Sequence, residues 1–226
     1  MANFYVVATP IGNLEDITLR AIRILGEVDL ILAEDTRVTR KLLDHYNIKT
    51  RTQSYHSQSK LSKIDQIIKM IEEGKNIALV SDAGTPTISD PGMLLISKIK
   101  EHFKDEVSIV PIPGASAVIT ALSASGVPSS EFLFLGFLPH KKGRETLFRE
   151  ITESARTVVF YESPHRIIKT LTSLNEHIPN RNVVVARELT KIYEELVSGT
   201  PEELLAYFEI NTDKVRGEFV VIVEAK

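Results

Sequence analysis

No cysteine occurs in the 226 residues, which excludes a disulfide framework and a thiolate metal site and is consistent with a reducing compartment. No apolar run approaches the roughly 18 residues that a membrane-crossing helix needs. The opening Met-Ala-Asn-Phe-Tyr-Val-Val reads as a strand, without the basic start and long apolar stretch of a secretory leader. A soluble protein acting in the cytoplasm is expected. An excess of positive charge is missing too: 27 basic side chains stand against 30 acidic ones for a net charge of −3, so overall composition argues for no nucleic-acid partner. Repeats and low-complexity segments are absent, and nothing sets the chain apart from ordinary globular proteins, with 43% apolar and 25% charged residues.

What is there is an alternation of strands and helices. Ile77-Ala-Leu-Val80 has the apolar composition of a strand buried on both faces. Ser81-Asp-Ala-Gly-Thr-Pro-Thr87 then breaks the pattern, and Asp90-Pro91 predicts a helix start with Asp90 as its N-cap. A side chain at Gly84 is expected to intrude where a ligand would lie. Before this come a strand at Asn3–Ala8, a loop ending in a capping Asp16, and a helix with Leu19, Ile22 and Leu25 facing inward. A strand over Asp29–Ala33, a helix from Thr36 to Tyr46, a short strand at Thr52–His56 and a helix over Leu61–Glu73 follow. In the last, Leu61, Ile64, Ile67, Ile68 and Ile71 recur at helical spacing.

After the central loop, the pattern predicts a strand at Val107–Val110, a loop at Pro111–Ser116 and a helix over Ala117–Ser125. Strands at Phe132–Gly136, Thr157–Tyr161, Asn182–Ala186, Ile192–Val197 and Glu218–Glu224 then alternate with helices at Glu145–Glu153, Pro164–Glu176 and one opened by Thr200-Pro-Glu-Glu203, a capping box. The first half implies a mostly parallel sheet; the short connections of the second imply a mixed one. The chain divides into an N-terminal α/β lobe over residues 1–116 and a C-terminal α/β lobe over 117–226.

A strand–loop–helix opening suggests a dinucleotide site, but the first loop has only Gly12 where that fingerprint needs three glycines. No Gly-Lys-Ser/Thr follows a strand, so a P-loop is excluded as well. The residues support a small-molecule cleft at several strand ends, Thr9-Pro10, Ala83–Thr85 and Gly114–Ala117, without naming its ligand.

Five stretches together, Ala8-Thr-Pro-Ile-Gly-Asn-Leu14, Ala33-Glu-Asp-Thr-Arg37, Ser81-Asp-Ala-Gly-Thr-Pro86, Pro113-Gly-Ala-Ser-Ala117 and Phe160-Tyr-Glu-Ser-Pro-His-Arg166, resemble the S-adenosylmethionine-dependent methyltransferases of the tetrapyrrole methylase superfamily. The likeness runs from Asn3 to about Val223 and is greatest to the branch that methylates a cytidine 2′-hydroxyl in the 16S rRNA of the small ribosomal subunit. The resemblance implies a two-lobed tetrapyrrole methylase-like fold with a cofactor cleft between the lobes, and a homodimer. It implies S-adenosylmethionine contacts at Pro10, Gly84, Thr85, Ile88, Ser116 and Ala117, with Tyr161 and Ala186 from the second lobe. Members of that branch often carry a further C-terminal segment thought to help hold RNA, whereas this chain ends at Lys226.

Methyl transfer to a hydroxyl needs alignment and removal of a proton. Candidate bases are Glu34, Asp35 and Glu162, with Asp82 and His165 behind them; no metal is called for. Each has a structural alternative as a cap or loop brace. Two basic runs could hold RNA: Arg37, Arg40 and Lys41, which share one helical face, and Lys141, Lys142 and Arg144. Such runs are more often solvated faces. Arg166, like Arg37, suits a phosphate clamp better than a base, since guanidinium stays protonated. Methylation of a tetrapyrrole carbon and a non-catalytic RNA-binding assembly role remain alternatives at this point.

Overall fold

The computed structural model describes residues 2–56 and 61–226. The chain forms two compact units, Met1–Ser116 and Ala117–Lys226. In the first, strands β1 (Asn3–Val7), β2 (Leu30–Ala33), β3 (Thr52–Ser54), β4 (Ile77–Val80) and β5 (Ser108–Ile112) alternate with helices α1 (Leu19–Glu27), α2 (Thr36–His45), α3 (Leu61–Glu72) and α4 (Met93–Phe103). The sheet order is β3-β2-β4-β1-β5 and every pairing is parallel.

Both faces of this sheet are covered, which is why β2 and β4 read as unbroken apolar runs. Ile31, Ala33, Ala78 and Val80 pack with Ile24 and Leu25 of α1 and Leu42 and Leu43 of α2. Their neighbours Leu30, Leu32, Ile77 and Leu79 point the other way, to Ile64, Ile67 and Ile71 of α3 and Leu95 and Ile99 of α4. Alternation along each strand thus feeds two cores, and the polar loops are left at the strands' carboxyl ends.

Two helix starts differ from expectation. Thr18, not Asp16, caps α1 by accepting the Ala21 N–H at 3.1 Å; Asp16 closes a single 3₁₀ turn that Asn13 caps. Leu19 in the first turn of α1 consequently points to solvent, 86% exposed, while Ala21 takes an inner position. Leu61, at the first turn of α3, is also exposed. Asp90 does not cap the helix after β4: α4 begins at Met93 with Gly92 as its N-cap and no side-chain bond there. Gly92 has φ of +133°, and a Cβ on it would lie 2.7 Å from Leu79 Cδ2, so only glycine fits this junction.

The second unit holds α5 (Ala117–Ser125), β6 (Phe132–Phe137), α6 (Arg144–Glu153), β7 (Thr157–Glu162), α7 (Ile167–His177), β8 (Val183–Arg187), β9 (Glu195–Gly199), α8 (Pro201–Ile210) and β10 (Phe219–Val223). Its sheet runs β6-β7-β10-β8-β9 and is mixed, with β6 and β7 parallel and the other pairs antiparallel. One face packs Phe160, Val185, Phe219 and Val221 against Phe148 of α6, Leu171 and Leu174 of α7 and Leu204 and Phe208 of α8. The ninth strand starts later than the expected Ile192, because Glu188 and Thr190 adopt positive φ and two turns, Lys191 N–H to Glu188 and Glu194 N–H to Lys191, occupy the residues before it. Ile192 is left 94% exposed. The capping box at Thr200 and Glu203 is present. Among the described residues no helix is long and apolar enough to cross a membrane.

Candidate active site

Three loops at the carboxyl ends of β1, β4 and β5 are tied to one another. Thr9 and Gly84 exchange backbone hydrogen bonds, N–H to O at 2.9 Å one way and 3.0 Å the other. The Thr9 hydroxyl donates to the Ser81 carbonyl at 3.2 Å, and the Thr85 hydroxyl donates to the Ala115 carbonyl at 3.2 Å. The stretches holding Pro10, Gly84, Thr85 and Ser116 are therefore brought together, with Ala117 the next residue along. Ile88 lies nearly half exposed on the same β4–α4 loop. Gly84 itself is buried, with φ of +81°, and a Cβ there would press on Ile11 Cγ2 at 3.3 Å. The protein's own backbone, before any ligand, requires glycine at this position, which corrects the expectation that a side chain would enter ligand space first.

Beyond β2 and β4 the acidic side chains sort by role. Asp35 is the N-cap of α2: its carboxylate accepts the Arg37 N–H at 2.8 Å and the Arg37 guanidinium at 2.6 Å. The Arg37 side-chain bond, with the backbone bond behind it, holds the Asp35 carboxyl down at about 2, which makes it a poor proton acceptor near neutral pH. Its place among the bases is corrected accordingly. Asp82 accepts the Asp35 N–H at 2.8 Å and so braces the end of β2 from the end of β4. Glu34 is different. Burial, with Asp82 next, raises its carboxyl, and His56 opposes the rise.

Asp90 belongs with Glu34. Burial raises its carboxyl to about 6, Glu34 and then Asp82 adding to the effect, and hydrogen bonding to Ser81 opposing it. The sequence offered one signal for this residue, Asp before Pro, and that signal points to a helix cap. The sharp turn at Thr87, Ser89 and Gly92, all at positive φ, instead carries Asp90 back toward Ser81. Among the described residues no group of three or more His, Asp or Glu side chains is arranged to hold a metal ion.

In the second unit, Tyr161, Val220 and Ala186 line up as one row across β7, β10 and β8. Tyr161 is half-buried, its ring 5.1 Å from Phe134 and 5.2 Å from Phe137. Ala186 is fully buried and paired on both sides, to Val220 and to Leu196. Its expected cofactor contact, like that of Tyr161, is carried by the resemblance.

Glu162 is also fully buried, and its partners are cations. It lies 2.7 Å from Arg166 Nη2 and 3.8 Å from Arg144 Nη1, and accepts the Thr170 hydroxyl at 2.7 Å. With the Ser163 N–H at 2.8 Å from Oε1, both of its oxygens are occupied by the protein's own groups. Glu162 as a base is corrected, and so are Arg166 as a phosphate clamp and Arg144 as a member of the RNA-holding run, because both guanidiniums turn inward to it. Lys141 and Lys142 remain exposed, as do Arg37 and Lys41; Arg40 is partly buried and reaches Thr52 at 3.4 Å. His165 is exposed in the turn before α7.

Residues 3–205 match the model of the tetrapyrrole (corrin/porphyrin) methylases. The chain is 51% identical over 222 residues to ribosomal RNA small subunit methyltransferase I of Halalkalibacterium halodurans, covering 97% of this chain and 75% of the relative. It is 43% identical over 226 residues to the protein of that name from Thermotoga maritima, covering 100% of each. Among solved structures, diphthine synthase superposes with a TM-score of 0.74 at 14% identity, covering 100% of this chain and 90% of that one. Cobalt precorrin-4 methyltransferase superposes at 0.71 with 18% identity, covering 98% and 94%. A Thermus thermophilus uroporphyrin-III C-methyltransferase complexed with S-adenosyl homocysteine does so at 0.66 with 17% identity, covering 99% and 97%. At such identities these likenesses speak for the fold, and the parallel and mixed sheets of the two units agree with it. Together with the matched model and the relatives near half identity, they place the chain plainly: it belongs to the tetrapyrrole methylase family.

Proposed function

We propose that this chain transfers the methyl group of S-adenosylmethionine to a cytidine ribose 2′-hydroxyl of 16S rRNA, acting in the cytoplasm as a homodimer on the small ribosomal subunit. The observation that carries this reading is identity of 43–51% over nearly the whole chain to proteins named for small-subunit rRNA methylation.

The first unit's loops suit the cofactor. Bound S-adenosylmethionine supplies the electrophilic methyl group. Pro10 and Ile88 offer apolar walls for a neutral base, Gly84 offers close backbone approach, and the backbone at Thr85, Ser116 and Ala117 offers N–H groups for a carboxylate. Tyr161 is assigned to the cofactor by resemblance alone.

Glu34 takes the proton of the ribose hydroxyl onto its carboxylate. Its raised proton affinity, sustained by burial and by the Asp82 charge, suits a base working near neutral pH. Glu34 in turn helps to raise Asp90 on the β4–α4 loop. Arg37, Arg40, Lys41, Lys141 and Lys142 meet backbone phosphates, which fix RNA without reading its sequence.

The test offers labelled S-adenosylmethionine with either small ribosomal subunits lacking the modification or a uroporphyrinogen. Label in the RNA is expected. Label in the tetrapyrrole would favour carbon methylation, and label in neither would favour a non-catalytic assembly role.

A further inference from the structure

The β6–α6 connection carries Lys141 and Lys142 on an exposed loop, and an isolated loop of that kind would present its charges in many positions. This one is tied at both ends. At its start, Arg166 Nη1 donates to the Leu138 carbonyl at 2.7 Å and Arg144 Nη1 to the Pro139 carbonyl at 3.4 Å. At its end, the Arg144 N–H closes a turn onto the Lys141 carbonyl at 3.2 Å. Both guanidiniums are in turn held from beneath by one carboxylate. Arg166 Nη2 lies 2.7 Å from Glu162 Oε1, and the Thr170 hydroxyl relays the other side, accepting from Arg144 Nη2 at 2.7 Å while donating to Glu162 Oε2 at 2.7 Å. The Ser163 N–H, at 2.8 Å from Glu162 Oε1, fixes the carboxylate itself.

We propose that Glu162 is a positioning residue for RNA: through Arg144, Arg166 and Thr170 it sets the loop from Leu138 to Gly143 so that Lys141 and Lys142 stand at a fixed place for two backbone phosphates. The proposal rests on the rRNA reading above. It accounts for a feature that reading leaves unexplained, namely two arginines committed to a single, fully buried carboxylate. Their outer nitrogens hold consecutive carbonyls of the lysine loop, so the buried charge transmits its position to the exposed pair.

The test measures affinity for small-subunit RNA, affinity for S-adenosylmethionine and turnover at saturating RNA in four variants and in Glu162→Gln combined with the fourth. Glu162→Gln keeps the shape of the cluster and removes its charge. Thr170→Val removes only the relay, and Thr170→Ser restores it. The fourth variant joins Lys141→Ala and Lys142→Ala. Glu162→Gln and Thr170→Val are expected to weaken RNA binding by roughly tenfold at moderate salt, the scale of one or two phosphates left without a cation, with cofactor affinity unchanged and Thr170→Ser near wild type. On the background lacking both lysines, Glu162→Gln should add almost nothing, since what it positions is gone. Equal losses on both backgrounds, or unchanged RNA affinity in Glu162→Gln and Thr170→Val alike, would overturn the proposal. So would turnover lost at saturating RNA with affinity intact, which would put Glu162 in the chemistry. Should Glu162→Gln fail to fold, the two Thr170 variants carry the same comparison. Wild-type protein that binds no small-subunit RNA would contradict the rRNA reading itself, a result distinct from all of these.

Discussion

The Asp82 carboxylate accepts the backbone N–H of Asp35 at 2.8 Å, joining the carboxyl ends of two adjacent strands. Asp35 in turn caps α2 and grips Arg37. Two of the four carboxylates beyond β2 and β4 are thus committed to holding the loops in place, and the other two, Glu34 and Asp90, are the ones that burial raises.

Asp35 is therefore expected to matter for folding more than for turnover. Asp35→Asn, which can still cap the helix, should keep turnover within a few-fold of wild type, and Asp35→Ala should lower the melting temperature. Calorimetry beside a methyl-transfer assay checks both halves; a loss of turnover in Asp35→Asn on the scale of a missing base would reverse the assignment.

Glu34→Gln is expected to hold S-adenosylmethionine with unchanged affinity and to lose turnover by roughly 100-fold, the usual scale for a lost general base. Isothermal titration with single-turnover kinetics separates the two effects. Turnover near wild type would show that alignment alone suffices.

Asp90 makes stability depend on pH in a definite direction. Its carboxyl is raised from 3.8 to about 6 in the folded chain, so between those values the folded state keeps a proton that the unfolded chain has released. The contribution is complete below pH 3.8 and is lost as the pH rises through about 6. Asp90→Asn should accordingly stabilise the protein at pH 7, by about 1 kcal/mol after allowance for solvent screening at a half-buried site, and the gain should shrink toward pH 4. Urea unfolding at the two pH values measures it; a gain independent of pH would point to packing instead of charge.

The cofactor assignment can be tested by a substitution that leaves the backbone alone. Ile88 is 46% exposed, so Ile88→Ala should fold normally. If Ile88 is a wall of the cofactor site, its truncation removes apolar contact worth about 1.5 kcal/mol, or roughly a tenfold loss of S-adenosylmethionine affinity. Unchanged affinity would take Ile88 out of the site.

RNA binding through these cations should appear in its salt dependence. Lys141→Ala with Lys142→Ala, and separately Arg37→Ala with Arg40→Ala, should each reduce the slope of log affinity against log salt by roughly 0.7 to 0.9 for every phosphate no longer neutralised, leaving cofactor affinity unchanged. The arginine pair should show the smaller change, because Arg37 must leave Asp35 to reach a phosphate. Slopes identical to wild type would make both runs solvated faces.

The architecture was legible because burial on two faces writes itself into β2 and β4 as continuous apolar runs, and because the loops between break that pattern with glycine and proline. Helix starts were less legible. Asn13, Asp16 and Thr18 all have capping side chains within a few residues, and the choice among them depends on where the backbone turns. Asp90 misleads in the same way, since the positive φ angles at Thr87 and Ser89 violate what their residue types prefer. The inward turn of Arg144 and Arg166 could not be read at all. Both stand beside exposed lysines or histidine, and only the fold reveals that Glu162 lies beneath them.

The most direct test of the account is nucleoside mass spectrometry on 16S rRNA from unmodified small subunits, incubated with S-adenosylmethionine and either the wild-type protein or Glu34→Gln. The expected result is one new 2′-O-methylcytidine per subunit with wild type and almost none with the variant in the same time. A methyl group found on a base, or none on the RNA while a uroporphyrinogen gains one, would contradict it.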